Sequence, residues 1–213
     1  MLLDRYKHIS FDLDGTLVHT VPEYRHKIVP EVVRKLGGKL RDIKSVDKFW
    51  FEPDREETIK SHFGLDPMAF WKLFRFTDVP QVREQHTHAY SDAEPTLRRL
   101  KAMGKMVSII TGSPDWIAEM EIRKINNAPI DHYVSINYDQ IAGKPDPGAM
   151  HVALETLASM PHETLYIGNS NEDANFANNA GVDFVYLERR EHPFENWEAV
   201  AHTIHSLEQL FEL

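Results

Sequence analysis

No cysteine occurs among the 213 residues, so disulfide staples, thiolate metal sites and thiol nucleophiles are excluded by inventory. No apolar run approaches the roughly 18 residues of a membrane span. The start, MLLDRYKHISFDLDG, carries charges where a signal peptide needs its apolar centre. A basic surplus is missing too. Lys and Arg number 24 against 33 Asp and Glu, a formal charge of -9, which argues against a nucleic-acid or anionic-membrane surface but leaves room for a local basic pocket. Internal repeats and low-complexity stretches are absent. What is present is a globular composition, 42% hydrophobic and 10% aromatic, long enough for one full core and a small second domain. The expectation is a soluble cytoplasmic protein with no nucleic-acid and no membrane partner.

The pattern along the chain changes twice. Lys7 to Asp12 is a short β-prone run leading into Asp12-Leu13-Asp14-Gly15-Thr16, with Gly15 marking a turn. From Pro22 to about Ala89 the spacing is helical throughout. One helix is predicted from Pro22 to the Gly37-Gly38 stop, with Ile28, Val32, Val33 and Leu36 as its stripe. Others are predicted at about 43–51, 55–63, 67–76 and 79–89, punctuated by Pro53, the Gly64 to Pro67 turn and Pro80. After Glu94 helices and strands alternate. The predicted order is helix 94–103, strand Met106 to Ile110, a helix opening with Ser113 as N-cap and Pro114 at its first position, and a strand from Tyr133 to Ile136. A helix after Pro147, strand Leu165 to Ile167, a helix from Asn171, strand Phe184 to Leu187 and a last helix 195–211 follow. That last helix rests on Trp197, Val200, Ala201, Ile204, Leu207 and Phe211 at spacings of three and four. The predicted fold class is α/β, a Rossmann-like parallel sheet core with helices on both faces. The roughly 70-residue helical stretch, 20–89, is too long for a structureless loop and reads as an inserted α-helical domain between core segments 1–19 and 90–213.

Open parallel sheets bind ligands beyond the carboxyl ends of their strands. Polar residues gather there. Asp12-Leu13-Asp14-Gly15-Thr16 closes the first strand, Thr111-Gly112-Ser113 the second, Lys144-Pro145-Asp146 precedes a helix, and Gly168-Asn169-Ser170-Asn171-Glu172-Asp173 follows a later strand. Singly, each is ordinary turn or helix-start chemistry. In this order, DLDGTLV at 12–18, IITGS at 109–113, GKPDP at 143–147 and YIGNSNEDANFANNAG at 166–181 together resemble the haloacid dehalogenase-like superfamily, across the whole α/β core. The resemblance is nearest to its phosphoglycolate phosphatase-like members. It implies that the insertion is a cap domain, placed as in the superfamily's subclass I, and that the cap sets substrate choice.

The residue chemistry agrees. A carboxylate can attack phosphorus to give an acyl phosphate, splitting hydrolysis into two easier displacements, if the facing negative charges are offset. Asp12 is the candidate nucleophile. Asp14, two residues on, is the candidate acid and base, protonating the leaving alcohol and then activating water. A Mg²⁺ ion, suited to hard oxygen donors, would screen Asp12 against the substrate dianion. Lys144 supplies a second positive charge. Thr111 and Ser113 offer hydroxyls and Gly112 a close-approach N–H to phosphate oxygens. The resemblance implies a metal set of Asp12, Asp14, Asn169 and Asp173, and a small phosphorylated metabolite as substrate for a monomer or homodimer.

Three positions depart from the superfamily's pattern. Asn169 stands where most of its phosphatases carry Asp, removing one negative charge from the metal site. His19 replaces the usual Asp after GTLV and is read as a cap-hinge or substrate-mouth residue. Tyr90-Ser91-Asp92 replaces a common Pro-Gly and is read as a change to a turn. Within the cap, Phe49-Trp50-Phe51 is open to two readings, a pocket lining or, the commoner case, bundle core. Arg25 and His26 are open to substrate-carboxylate contact or, more commonly, a solvated face. The competing functions are a phosphomutase on the same core and a catalytically weak phosphate-ligand-binding protein that keeps the site despite Asn169. Asp14 argues against a dehalogenase, because members with that activity generally lack the second Asp.

Overall fold

The computed structural model describes residues 2–52, 54–135, 142–191 and 193–213. Two compact units emerge, Met1–His19 with His88–Leu213, and Thr20–Thr87. The first is built on a sheet of six parallel strands: β1 (His8–Phe11), β4 (Met106–Thr111), β5 (His132–Ser135), β6 (Thr164–Gly168), β7 (Asp183–Leu187) and β8 (Val200–Ile204). Their spatial order is β5-β4-β1-β6-β7-β8. Beside these, β2 (Val18–Thr20) and β3 (Thr87–Ala89) pair as a two-stranded ribbon.

Alternation along the strands sends side chains to two faces. Ile9, Phe11, Val107, Ile109, Leu165, Ile167, Val185 and Leu187 join one apolar cluster, while Ile110, Tyr166, Phe184 and Tyr186 join another. The first face is covered by α6 (Ala93–Ala102) and α7 (Asp115–Lys124), through Leu97, Leu100, Ala118 and Ile125. The second is covered by α8 (Gly148–Thr156) and α9 (Asn171–Asn179), through Met150, Ala153, Ala174 and Phe176. The chain runs outward from β1 through β4 to β5, then returns to β6 on the other side. Successive connections therefore diverge beside β1, which opens a crevice at the carboxyl end of that strand.

The helical unit holds α1 (Pro22–Lys35), α2 (Lys44–Phe51), α3 (Arg55–Phe63), α4 (Pro67–Thr77) and the short α5 (Pro80–Arg83). Its core is Tyr24, Ile28, Val32, Val33 and a group of rings in which Phe49 meets Phe63, Phe70, Trp71 and Phe74 at centroid distances of 5.1 to 5.9 Å. Phe49 is thus bundle core. Asp66 caps α4 by accepting the Ala69 N–H at 2.9 Å, with Pro67 at the first helical position.

Three sequence expectations are corrected. The stretch 195–211 is not one helix: Trp197–Ala199 and Leu207–Phe211 are 3₁₀ turns around β8. Val200 and Ile204 are four apart, a spacing that fits both a helix face and one face of a strand. Pairing with β7 decides it. The predicted helix 79–89 stops early. A 3₁₀ turn at Glu84–His86 leads into β3, where the Thr87 hydroxyl meets that of Thr20 at 3.0 Å. α7 also starts later than expected. Pro114 is extended (ψ 156°) and serves as its N-cap, while the Ser113 N–H is bound by the Thr111 hydroxyl at 3.1 Å. Pro53 and Ile136, named above, lie outside the described residues.

The second face of the sheet carries a buried polar seam. Ser108 donates to Ser10 at 2.8 Å, so it accepts from His8 Nε2 at 2.7 Å; His8 Nδ1 then accepts from Ser159 at 2.9 Å. A neutral imidazole satisfies this chain. Burial, partly opposed by the charge of Asp131, pushes His8 down to about 4. The folded state therefore favours the uncharged ring. This stabilisation is complete above pH 6.5 and is lost as pH falls through 6.5 toward 4. Between pH 7 and 5, wild type should lose about 2 kcal/mol more unfolding free energy than His8→Gln, read by urea denaturation. Equal losses in the two proteins would place the acid sensitivity elsewhere.

Candidate active site

The site begins at the end of β1. β1 lies between β4 and β6 in register, with Phe11 opposite both Ile109 and Ile167, and the Asp12 N–H donates to the Ile167 carbonyl at 2.9 Å. This holds Asp12 at the mouth of the crevice, 7% exposed. The chain then turns sharply. The Leu13 carbonyl accepts the N–H groups of Thr16, Leu17 and Val18, and Asp14 bridges to Val18. Gly15 has φ +86°, and a Cβ there would fall 2.1 Å from Asn169 Nδ2. Only glycine permits both the turn and that approach.

Lys144 connects two strand ends. Its ammonium donates to Asp12 Oδ1 at 2.6 Å and to Asp173 Oδ1 at 2.7 Å, and it is almost fully buried. The other Asp12 oxygen accepts from the Thr16 hydroxyl at 3.0 Å. Asp173 is engaged on both oxygens. Oδ1 also accepts from Tyr166 at 3.1 Å, and Oδ2 from Ser170 Oγ at 2.7 Å and from the N–H groups of Asn169 and Ser170 at 3.2 Å. With the Asp173 N–H returned to Ser170 Oγ, this is the capping box of α9. A Cβ on Gly168 would lie 2.6 Å from Asp173, so the strand end must be glycine for the carboxylate to reach back.

The electrostatics follow from two carboxylates sharing one ammonium. Burial and the negative charge of Asp173 raise Asp12, with Lys144 and Thr16 opposing. Burial also works to raise Asp173, but Lys144, Ser170 and Tyr166 outweigh it and hold it low. Burial works to lower Lys144, yet the two carboxylates keep it well above the ordinary lysine value. With all three ionised the cluster carries a net charge of -1. Among the described residues no group of three or more His, Cys, Asp or Glu is placed to hold a metal ion. The donors at this strand end are nevertheless all hard oxygens, namely the Asp12 carboxylate, the main-chain carbonyl of Asp14 and the Asn169 amide oxygen, and the excess charge is negative. That chemistry fits Mg²⁺.

The structure thus brings Asp12, Lys144 and Asp173 into direct contact and packs Asn169 against Gly15 of the same loop. Asp14 is half-buried two residues beyond Asp12. Thr111, Gly112 and Ser113 end the adjacent strand β4, with Thr111 buried and Gly112 exposed.

A sequence profile of haloacid dehalogenase-like hydrolases matches residues 6–181. The chain belongs to this hydrolase family. It is 26% identical over 189 residues to a phosphoglycolate phosphatase of Pseudomonas syringae pv. syringae (strain B728a), covering 85% of this chain and 69% of that protein. It is 30% identical over 184 residues to a phosphoglycolate phosphatase of Rhodobacter capsulatus, covering 83% and 82%. A solved structure of a haloacid dehalogenase-like protein from Bacteroides fragilis superposes with a TM-score of 0.81 at 24% identity, over 96% of this chain and 99% of that one. That likeness shows the shared fold.

Several residues around the Lys144 cluster carried no role in the sequence reading. Thr16 and Tyr166 each donate a hydroxyl hydrogen bond to one of the two carboxylates, and the Tyr166 and Phe176 rings lie 5.5 and 5.7 Å from the Lys144 ammonium. Ser170 was detectable as the first member of a Ser-x-x-Asp pattern opening a helix. In the helical unit, Arg25 and His26 both bind Asp47 Oδ1, at 2.7 and 2.8 Å, and Arg25 lies over Phe51. Arg83, 4% exposed, pairs with Asp78 and lies over Trp50.

Proposed function

We propose that this hydrolase is a Mg²⁺-dependent phosphatase of a small phosphomonoester, acting through an aspartyl-phosphate at Asp12. The observation that carries the reading is the buried bridge from Lys144 to Asp12 and Asp173 at the carboxyl end of β1. Lys144 and the Thr16 hydroxyl fix the two Asp12 oxygens in a defined orientation, and a fixed carboxylate is what in-line attack on phosphorus needs. Attack by Asp12 forms the O–P bond as the ester O–P bond breaks. Asp14 gives its proton to the departing alkoxide, then takes one from the water that displaces Asp12 from phosphorus. Thr111, Gly112 and Ser113 bind phosphate oxygens from the end of β4. Asp12, Asp14 and Asn169 would hold Mg²⁺, which when bound offsets the charge between nucleophile and dianion. Asp173, whose two oxygens already accept five hydrogen bonds against two at Asp12, is assigned to fixing Lys144 rather than to direct ligation. The helical unit is the source of substrate choice. Because the named relatives are phosphoglycolate phosphatases, 2-phosphoglycolate leads the substrates to try. No helix among the described residues is long and apolar enough to cross a membrane.

The decisive assay is phosphate release from 2-phosphoglycolate, hexose phosphates and p-nitrophenyl phosphate, with and without Mg²⁺. Asp12→Asn should lower the rate at least about a thousandfold, as loss of a nucleophile does. It should also melt no lower than wild type, because it removes one of two carboxylates sharing a single ammonium. A retained rate contradicts the nucleophile assignment, and hexose phosphate conversion without phosphate release favours a mutase.

Asn169→Asp preserves shape against Gly15 and adds one ligand charge. The expected result is about tenfold tighter Mg²⁺ binding, seen also as a larger Mg²⁺-induced rise in melting temperature. An unchanged response would show that residue 169 is not a ligand.

A further inference from the structure

Two departures noted in the sequence, His19 and Tyr90-Ser91-Asp92, converge on one side chain far away in the chain. Arg189, on the segment after β7, pairs with Asp92 through both terminal nitrogens at 2.8 and 3.0 Å, each side chain about 10% exposed. The same guanidinium donates to the carbonyl of Thr16 at 3.0 Å. It also lies 3.8 Å from the centroid of the Tyr90 ring, and that ring in turn stacks on His19 at 4.8 Å. The Tyr90 hydroxyl donates to Glu191, and the Tyr90 N–H to the Leu17 carbonyl at 3.0 Å. Asp92 is itself anchored, accepting the Leu207 N–H at 2.9 Å and the Ser206 hydroxyl at 3.2 Å. Tyr90-Ser91-Asp92 therefore does more than alter a turn.

The backbone bends to make this arrangement. Arg190 has φ +59° and the Arg189 N–H is turned back onto the Leu187 carbonyl at 3.1 Å. Arg189 Nε is buried without a hydrogen-bond partner among the described residues. A left-handed residue and an unsatisfied donor both oppose folding. They are tolerated together where the guanidinium is held in one place.

We infer that Arg189 is a positioning residue for the nucleophile, acting through Thr16: the guanidinium fixes the Thr16 carbonyl, and the Thr16 hydroxyl fixes Asp12 Oδ2. Asp92 aims the guanidinium and the Tyr90 ring limits its motion. This inference rests on the phosphatase reading, since it assigns Arg189 to the attack by Asp12. A rigid nucleophile raises turnover and leaves phosphate binding, made by other groups, largely unaffected.

Arg189→Met alone strands a buried carboxylate and should destabilise the fold. The double variant Arg189→Met with Asp92→Asn removes that charge and recovers melting temperature without restoring the Thr16 contact. With p-nitrophenyl phosphate and Mg²⁺, both proteins should show kcat lowered at least tenfold with KM within twofold of wild type. Amide exchange at Thr16, Leu17 and Val18, followed by NMR, should quicken at least tenfold in both, with that of β6 unchanged in the double variant. Recovery of kcat along with melting temperature would reduce Arg189 to a structural ion pair and overturn the inference, as would unchanged exchange in the loop. If wild type itself turns over no phosphoester, the phosphatase reading fails. The exchange measurement then decides separately whether Arg189 holds the loop, quickened exchange supporting it and unchanged exchange overturning it.

Discussion

One ammonium held between two carboxylates organises the α/β unit. Lys144 reaches Asp12 at the end of β1 and Asp173 at the start of α9, so segments that are distant in sequence meet at one charge. Burying a lysine is costly unless it is paired and hydrogen-bonded. Here both conditions are met, and the pairing leaves one negative charge in excess. Burial together with that imbalance accounts for the raised Asp12, and the excess negative charge suits the strand end to a divalent cation. It also explains why Asp173 needs five donors around it: a carboxylate so satisfied stays ionised and keeps Lys144 charged.

The fold supplies rigidity around that pair from both sides. Beneath it, the strands in register fix the backbone of Asp12, and the His8–Ser108–Ser10 seam ties β1 to β4 by side chains as well as by the ladder. Beside it, the Leu13 carbonyl gathers three N–H groups into a tight turn, and glycine at 15 and 168 lets Asn169 and Asp173 approach the backbone closely. The Arg189–Asp92 pair closes the remaining side of the loop through Thr16. These contacts constrain the Asp12 carboxylate in a way that a flexible loop would not.

The sequence disclosed the parts of this arrangement that depend on local spacing. Polar motifs at successive strand ends located Asp12, Lys144 and Asp173, and alternation of helix and strand identified the parallel sheet. Local spacing failed where two periods coincide. Val200 and Ile204 satisfy helix and strand alike, and only the exposed hydrogen-bonding edge of β7 selects the strand. It failed also at Thr87, where pairing with β2 overrides helical texture. Arg189 and Asp92 are 97 residues apart, with no local spacing to join them; their meeting is a product of tertiary packing. Tyr166 was hidden for a different reason, since a tyrosine within an apolar strand reads as core until its hydroxyl is seen to bond Asp173.

The central claim is that Asp12 carries the phosphoryl group. The most direct measurement is to mix wild-type protein with Mg²⁺ and a substrate it turns over, quench in acid, reduce with borohydride and locate the change by peptide mass spectrometry. Borohydride reduces an acyl phosphate to an alcohol, so the expected product is homoserine at position 12, absent without substrate. Reduction at another carboxylate, or turnover with position 12 never modified under single-turnover conditions, would contradict the account.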